Sequence, residues 1–154
     1  MKWGVRYNYH YVNNLYDSIK RHTCDKTQLI CFTDDQTNIH KEVICKPLPE
    51  IKIPMELSET PWRKLSIWKY PLHELNGDIL FLDLDLVITN NLDKFFNYKQ
   101  GTFCVIENWT QIGKGIGNTS CFRFPVKKHK YIFEEFEKNS NLLWKKYNIE
   151  QVYI

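Results

Sequence analysis

Between Asp78 and Ile88 the sequence reads Asp-Ile-Leu-Phe-Leu-Asp-Leu-Asp-Leu-Val-Ile, an apolar run broken by two carboxylates two positions apart. Side chains alternate along an extended strand, so Asp83 and Asp85 are expected on one face about 6–7 Å apart. Leu82, Leu84 and Leu86 then point the other way. Two like charges on one side of a buried strand are costly unless a cation neutralises them. All-oxygen ligation suits Mg²⁺ or Mn²⁺, which fill their remaining positions with phosphate oxygens and water. A cation held this way helps a diphosphate leave.

The same spacing serves a second chemistry. Asp-x-Asp-x-Val after an apolar strand resembles the nucleophile motif of haloacid-dehalogenase-type phosphatases, in which the first Asp, here Asp83, takes up the phosphoryl group. That motif sits on the first strand of its fold, whereas here most of a small domain's length precedes it. The triplet alone leaves sugar or nucleotide chemistry and phosphoryl transfer both open.

The elements around it alternate. Val12, Leu15, Tyr16 and Ile19 recur at helical spacing, which predicts a helix from about Tyr9 to Arg21. Gln28 to Thr33 reads as a short buried strand ending in Asp34-Asp35, and Val43 to Cys45 as another. Pro47, Pro49 and Pro54 make the next stretch irregular. Thr60-Pro61 then opens a predicted helix, with Thr60 as N-cap, Pro61 at its first position and Leu65 and Trp68 on its apolar face. After the acidic strand come a short helix at Leu92 to Asn97 and strands at Thr102 to Ile106 and Ser120 to Phe124. An amphipathic segment from Lys130 to Tyr147 follows, interrupted near Asn139-Ser-Asn141. This alternation predicts one α/β sandwich with a mostly parallel sheet and ligands beyond the carboxyl ends of its strands.

Composition narrows the function classes. The chain has 154 residues, 43% of them hydrophobic and 15% aromatic, enough for one domain with a real core. A net charge of +3, from 21 basic and 18 acidic residues, gives no basis for a nucleic-acid partner. The basic stretch from Lys127 to Lys130 contains His129 and lies near Glu134, Glu135 and Glu137. It reads as a solvated helix start, with peripheral contact to an anionic membrane as the second reading. Five cysteines (24, 31, 45, 104 and 121) without Cys-x-x-Cys spacing read as reduced, buried thiols and point to a cytoplasmic protein. No apolar run approaches the roughly 18–20 residues of a transmembrane segment, and no signal-peptide core opens the chain. The glycosylation-type triplets at Asn108 and Asn118 then carry little weight. The chain begins Met-Lys-Trp-Gly just before a helix and ends on Gln-Val-Tyr-Ile, which reads as a domain incomplete at both ends.

The wider context separates the two chemistries. Gly77 through Phe96, with the acidic triplet followed by Asn91-Leu92-Asp93 and Phe96, resembles the signature of GT-A glycosyltransferases related to family 8, the glycogenin and lipopolysaccharide galactosyltransferase group. Further blocks occur in that family's order. Trp62-Arg63-Lys64-Leu65 resembles its Lys-Leu helix, Gly117-Asn118-Thr119-Ser120 its Asn-Ser-Gly block, and Ile149-Glu150-Gln151 its Asp-Gln pair.

The resemblance implies a three-layer, Rossmann-like GT-A sandwich. It implies a metal-dependent transferase that moves a sugar from a nucleoside-diphosphate sugar, UDP in first place, to a hydroxyl on a glycan, lipid or protein. Asp83 and Asp85 would hold Mn²⁺ or Mg²⁺, with the Asp83-Leu84-Asp85 segment against the diphosphate. Lys64 maps to the donor-phosphate lysine, with Arg63 beside it. Asn118, Glu150 and Gln151 would face the sugar. Trp3 or Tyr7 would border the base and ribose, Asp34 and Asp35 would hydrogen-bond nucleotide groups, and Asn108 and Trp109 would contact donor sugar or acceptor. Two departures are Ser120 in place of Gly and Glu150 in place of Asp. The family's third metal ligand, a His beyond the Asp-Gln pair, has no counterpart before the chain ends.

Overall fold

In the computed structural model, which describes residues 1–24 and 26–154, Val12, Leu15 and Ile19 are buried on one side of helix α1 (Tyr9–His22). Extended Asn8 caps it, its side chain accepting from the His10 amide at 3.0 Å, and Lys20, Arg21 and His22 complement the dipole in the last turn. Strands β1 (Ile30–Phe32) and β2 (Ile44–Lys46) pair in parallel, with Ile30 opposite Ile44 and Cys31 opposite Cys45. On the other side of β1, the Lys2 amide donates to the Phe32 carbonyl at 2.9 Å in a parallel bridge.

The residues divide into two compact units, Met1–Leu48 with Leu82–Gln100, and Pro49–Phe81 with Gly101–Ile154. In the first, helix α2 (Asp93–Asn97) is tied back to the end of α1. The Leu92 amide donates to the His22 carbonyl at 2.8 Å, and the Asp93 carboxylate accepts from the Cys24 amide at 3.0 Å.

The second unit contains strands β3 (Asp78–Leu82, its last residue assigned to the first unit), β4 (Cys104–Glu107) and β5 (Gly117–Pro125) in the order β3-β5-β4. Strands β4 and β5 are antiparallel, with Cys104 opposite Arg123 and a register shift after Val105. The chain is thus mixed α/β, but among the described residues parallel pairing is confined to β1–β2 and the Lys2 bridge. The reason is local: the short 108–116 loop makes β4 and β5 a hairpin, and hairpins are antiparallel. Gly117 is required where they meet, because a Cβ there would lie 2.8 Å from both Val105 methyls.

The segment Pro61–Trp68 is a 3₁₀ helix rather than the expected α-helix. Six of its eight residues are buried, and among them Trp62, Leu65 and Trp68 recur every third position, which three residues per turn align on one face. Thr60 does not cap it through its side chain; its hydroxyl instead donates to the Leu57 carbonyl at 2.7 Å. Helix α3 (Tyr131–Tyr147) is broken at Asn139 (φ −127°, ψ 23°), where the sequence predicts an interruption, and helix α4 (Glu150–Tyr153) follows.

Much of the aromatic content is core. Trp68 stacks on Phe122 at 5.5 Å and meets Phe124 at 4.5 Å, Phe81 stacks on Phe122 at 5.0 Å, and Trp62 stacks on Phe136 at 5.2 Å. Among the described residues, no helix is long and apolar enough to cross a membrane. All five cysteines are free; Cys31 is buried, Cys45, Cys104 and Cys121 are half-buried and Cys24 is exposed, so burial of the thiols is less complete than expected. Phe136 is fully buried against Trp62, so Phe136→Ala should cost about 3–5 kcal/mol in urea unfolding with an unchanged m-value.

Candidate functional site

Strand β3 stops at Leu82, and Asp83-Leu84-Asp85 leaves it as a turn, not as the extended strand to Ile88 that the sequence suggests. The in-out pattern survives: Leu84 is buried, Asp83 half-buried and Asp85 exposed. The Tyr7 hydroxyl donates to Asp85 Oδ2 at 2.7 Å. That hydrogen bond, with burial and the charges of Asp85 and Asp83, pushes the Tyr7 phenol above its ordinary range, against the opposing Arg6 guanidinium. Both carboxylates therefore act on one hydroxyl. Tyr11 meets the Tyr7 ring edge-on at 4.8 Å and limits its movement.

Asp34 and Asp35 lie beyond the carboxyl end of β1, as expected, but their polar groups serve the local backbone. Asp34 Oδ2 accepts from the Gly4 amide at 2.9 Å, where Gly4 has φ 60°, a left-handed conformation that glycine adopts without steric cost. Asp35 Oδ1 accepts from the Thr37 amide at 2.9 Å, and the hydrogen bonds from Thr37, with Lys2 alongside, hold its carboxyl below the usual range. The buried Lys2 ammonium donates to the Asp35 carbonyl at 3.0 Å and lies 3.7 Å from Asp35 Oδ2. These two acids fasten the Lys2–Gly4 segment to the β1 end, with half-buried Trp3 between the fastened residues. Both acids remain exposed while they do so.

In the second unit, three blocks remote in sequence meet in the interior. Lys64 Nζ lies 3.1 Å from Glu150 Oε1 and 3.4 Å from the Thr119 carbonyl. The Thr119 hydroxyl donates to the same Glu150 oxygen at 2.9 Å. All three residues are buried, so Lys64 is not a surface lysine; Phe81 offers it a ring face at 5.7 Å. Thr119 was missed by sequence reasoning, which singled out its neighbour Asn118. Alternation along β5 is the signal that could have found it, since Thr119 points opposite to Asn118. Asn118 accepts from the Ser120 amide at 3.0 Å, Arg63 Nε donates to the Ser58 carbonyl at 3.1 Å, and Gln151 is half-buried in the first turn of α4.

Asn108 is buried and organises its own loop, accepting from the Thr110 amide and hydroxyl and donating to Gln111 Oε1 at 2.9 Å. Trp109 beside it is exposed. A second buried pair also escaped sequence reasoning: Arg123 Nη1 lies 3.4 Å from Asp78 Oδ2, and Nη2 donates to the Thr102 carbonyl at 3.2 Å.

Among the described residues, no group of three or more His, Cys, Asp or Glu side chains is placed to hold a metal ion. Asp83 and Asp85 are a pair of hard oxygen donors at an accessible turn, which fits a cation that takes its other ligands from phosphate and water. No protein-family profile matches the chain, and neither a curated protein nor a solved structure matches it.

Two outcomes follow from this geometry. Removing one member of the buried pair leaves an uncompensated charge, so Glu150→Gln should lower unfolding stability by about 3–5 kcal/mol, and the Lys64→Met/Glu150→Leu double variant should recover most of it in urea titrations. For Tyr7, Asp85→Asn should let the phenol titrate at lower pH than in the wild type, read by ¹³C NMR with Tyr7→Phe as the assignment control. A raised folded-state pKa gives stability that is fully present below the ordinary phenol range and lost as pH climbs through the raised value. Asp85→Asn should flatten that alkaline loss.

Proposed function

We propose that this chain is a metal-dependent glycosyltransferase domain of the GT-A type, related to family 8, which moves a sugar from a nucleoside-diphosphate sugar to a hydroxyl acceptor. The observation that carries the reading is the Asp83-Leu84-Asp85 turn. It leaves an apolar strand, exposes its second carboxylate and keeps both charges within reach of the Tyr7 hydroxyl. The ordered blocks of sequence resemblance support it, and the meeting of Lys64 with Glu150 joins two of those blocks.

On this reading Asp83 and Asp85 hold Mn²⁺ or Mg²⁺, which supplies Lewis acidity to the diphosphate leaving group. Tyr7 orients Asp85 through its hydrogen bond and, with Trp3, borders the nucleotide, UDP in first place. Lys64 belongs to the donor-phosphate block; Glu150 and Thr119 hold its ammonium in place although it is buried. Asn118 and Gln151 are assigned to the donor sugar. The fold would be a GT-A sandwich, and the acceptor a hydroxyl of a glycan, lipid or protein.

A thermal-shift titration of nucleotides and nucleotide sugars, with and without Mn²⁺, tests the reading. A UDP-sugar at 100 times its Kd should stabilise the chain by about 2.7 kcal/mol, which corresponds to a rise in Tm of roughly 5–10 °C. The rise should need Mn²⁺ and vanish in Asp85→Ala. A flat response to every UDP and GDP compound would sink the proposal.

A further inference from the structure

Cys31 and Cys45 are register partners across the parallel β1–β2 pair. Register partners on parallel neighbours project to the same face, and adjacent strands lie about 4.8 Å apart. That spacing falls inside the roughly 4.4–6.8 Å between Cα atoms that a disulfide spans. Both thiols are free, and they differ in access: Cys31 is 2% exposed, whereas Cys45 is half-buried and open to small reagents.

The register brings the two thiols together, and their electrostatic surroundings are shared. Burial pushes the Cys31 thiol up, Cys45 adds to the rise, and the Lys2 ammonium opposes it. Burial likewise raises Cys45, again opposed by Lys2. Lys2 is held beside them by its bridge to Thr33 and its bond to Asp35.

We propose that Cys31 and Cys45 are a paired dithiol that peroxide closes to a cross-strand disulfide, a reversible modification site in the first unit. The accessible Cys45 sulfur attacks the peroxide as thiolate, taking up one oxygen as a sulfenic acid and releasing water. The Cys31 sulfur then displaces that hydroxyl as a second water and forms the S–S bond. Two thiols lose two electrons and two protons, and hydrogen peroxide is reduced to two waters. In-register parallel partners hold their Cβ atoms slightly farther apart than a relaxed disulfide prefers, so the closed form is readily reopened by small thiols. The bond would pin β1 to β2 two residues before Thr33, whose amide already donates to the Lys46 carbonyl at 2.9 Å. It would thereby stiffen the support of the turn that fastens Lys2 and Gly4.

The test uses the whole chain carrying Cys24→Ser, which removes the exposed thiol most prone to intermolecular coupling. After hydrogen peroxide treatment and blocking with N-ethylmaleimide, trypsin cleavage and mass spectrometry should find residues 27–41 joined to residues 42–52. The joined species should weigh two hydrogens less than the two reduced peptides together, be lost on adding dithiothreitol, and be absent in Cys45→Ser. In the unoxidised protein, phenylarsine oxide, which binds two sulfurs through one arsenic, should protect both peptides from alkylation. The proposal is overturned if Cys31 and Cys45 are recovered separately blocked or separately over-oxidised after peroxide. It is equally overturned if Cys31 couples to Cys104 or Cys121 instead, or if phenylarsine oxide protects neither peptide.

Discussion

A buried cation must bring its counter-charge with it, and the second unit meets that demand twice. Lys64 is matched by Glu150 and the Thr119 carbonyl, and the Thr119 hydroxyl supports the same acid. Arg123, fully buried, is matched by Asp78 and the Thr102 carbonyl. Such pairs add little net stability, but separating their members costs about 3–5 kcal/mol, so they act by excluding alternative arrangements. Strand β5 contributes to both. Thr119 lies in the stretch where the register with β4 shifts and Arg123 lies beyond it, while Phe122 and Phe124 pack on Trp68. The central strand is thus specified by charge pairing and by aromatic packing together.

This division explains what could be read from sequence. Local periodicity sufficed for α1, for β1 and β2 to within two residues, and for the break in α3 at Asn139. These features depend on neighbours a few positions away. The choice between α and 3₁₀ geometry at Pro61–Trp68 was subtler, because an apolar spacing of three fits both until tertiary packing selects the tighter helix. The direction of β5 and the early end of β3 depend on which strands meet, and alternation of hydrophobicity does not encode that.

The candidate site divides in the same way. Asp83 and Asp85 are conspicuous in sequence because acids interrupt an apolar run. Lys64 looks like an exposed lysine on an amphipathic helix until Glu150, far along the chain, takes it inside. Asp34 and Asp35 stand out as acids at a strand end, whereas their ties to Gly4 and Lys2 come from residues far away in the chain. Cys31 and Cys45 carry no sequence motif at all; only strand pairing makes them partners.

The turn at Asp83–Asp85 alters the physical argument for a cation. Two carboxylates buried on a strand would demand neutralisation, but here Asp85 is exposed and one oxygen already accepts from Tyr7. The pair is therefore tolerable without metal, and folding of this unit does not wait for one. A carboxylate has about four acceptor positions, so the Tyr7 bond orients Asp85 without exhausting it. On the glycosyltransferase reading, two protein oxygens leave most of an octahedral shell to diphosphate and water. Metal and nucleotide must then bind interdependently, each raising the other's affinity by the same factor. On that reading the cation would belong to the substrate complex, and the protein's part would be to hold two oxygens still.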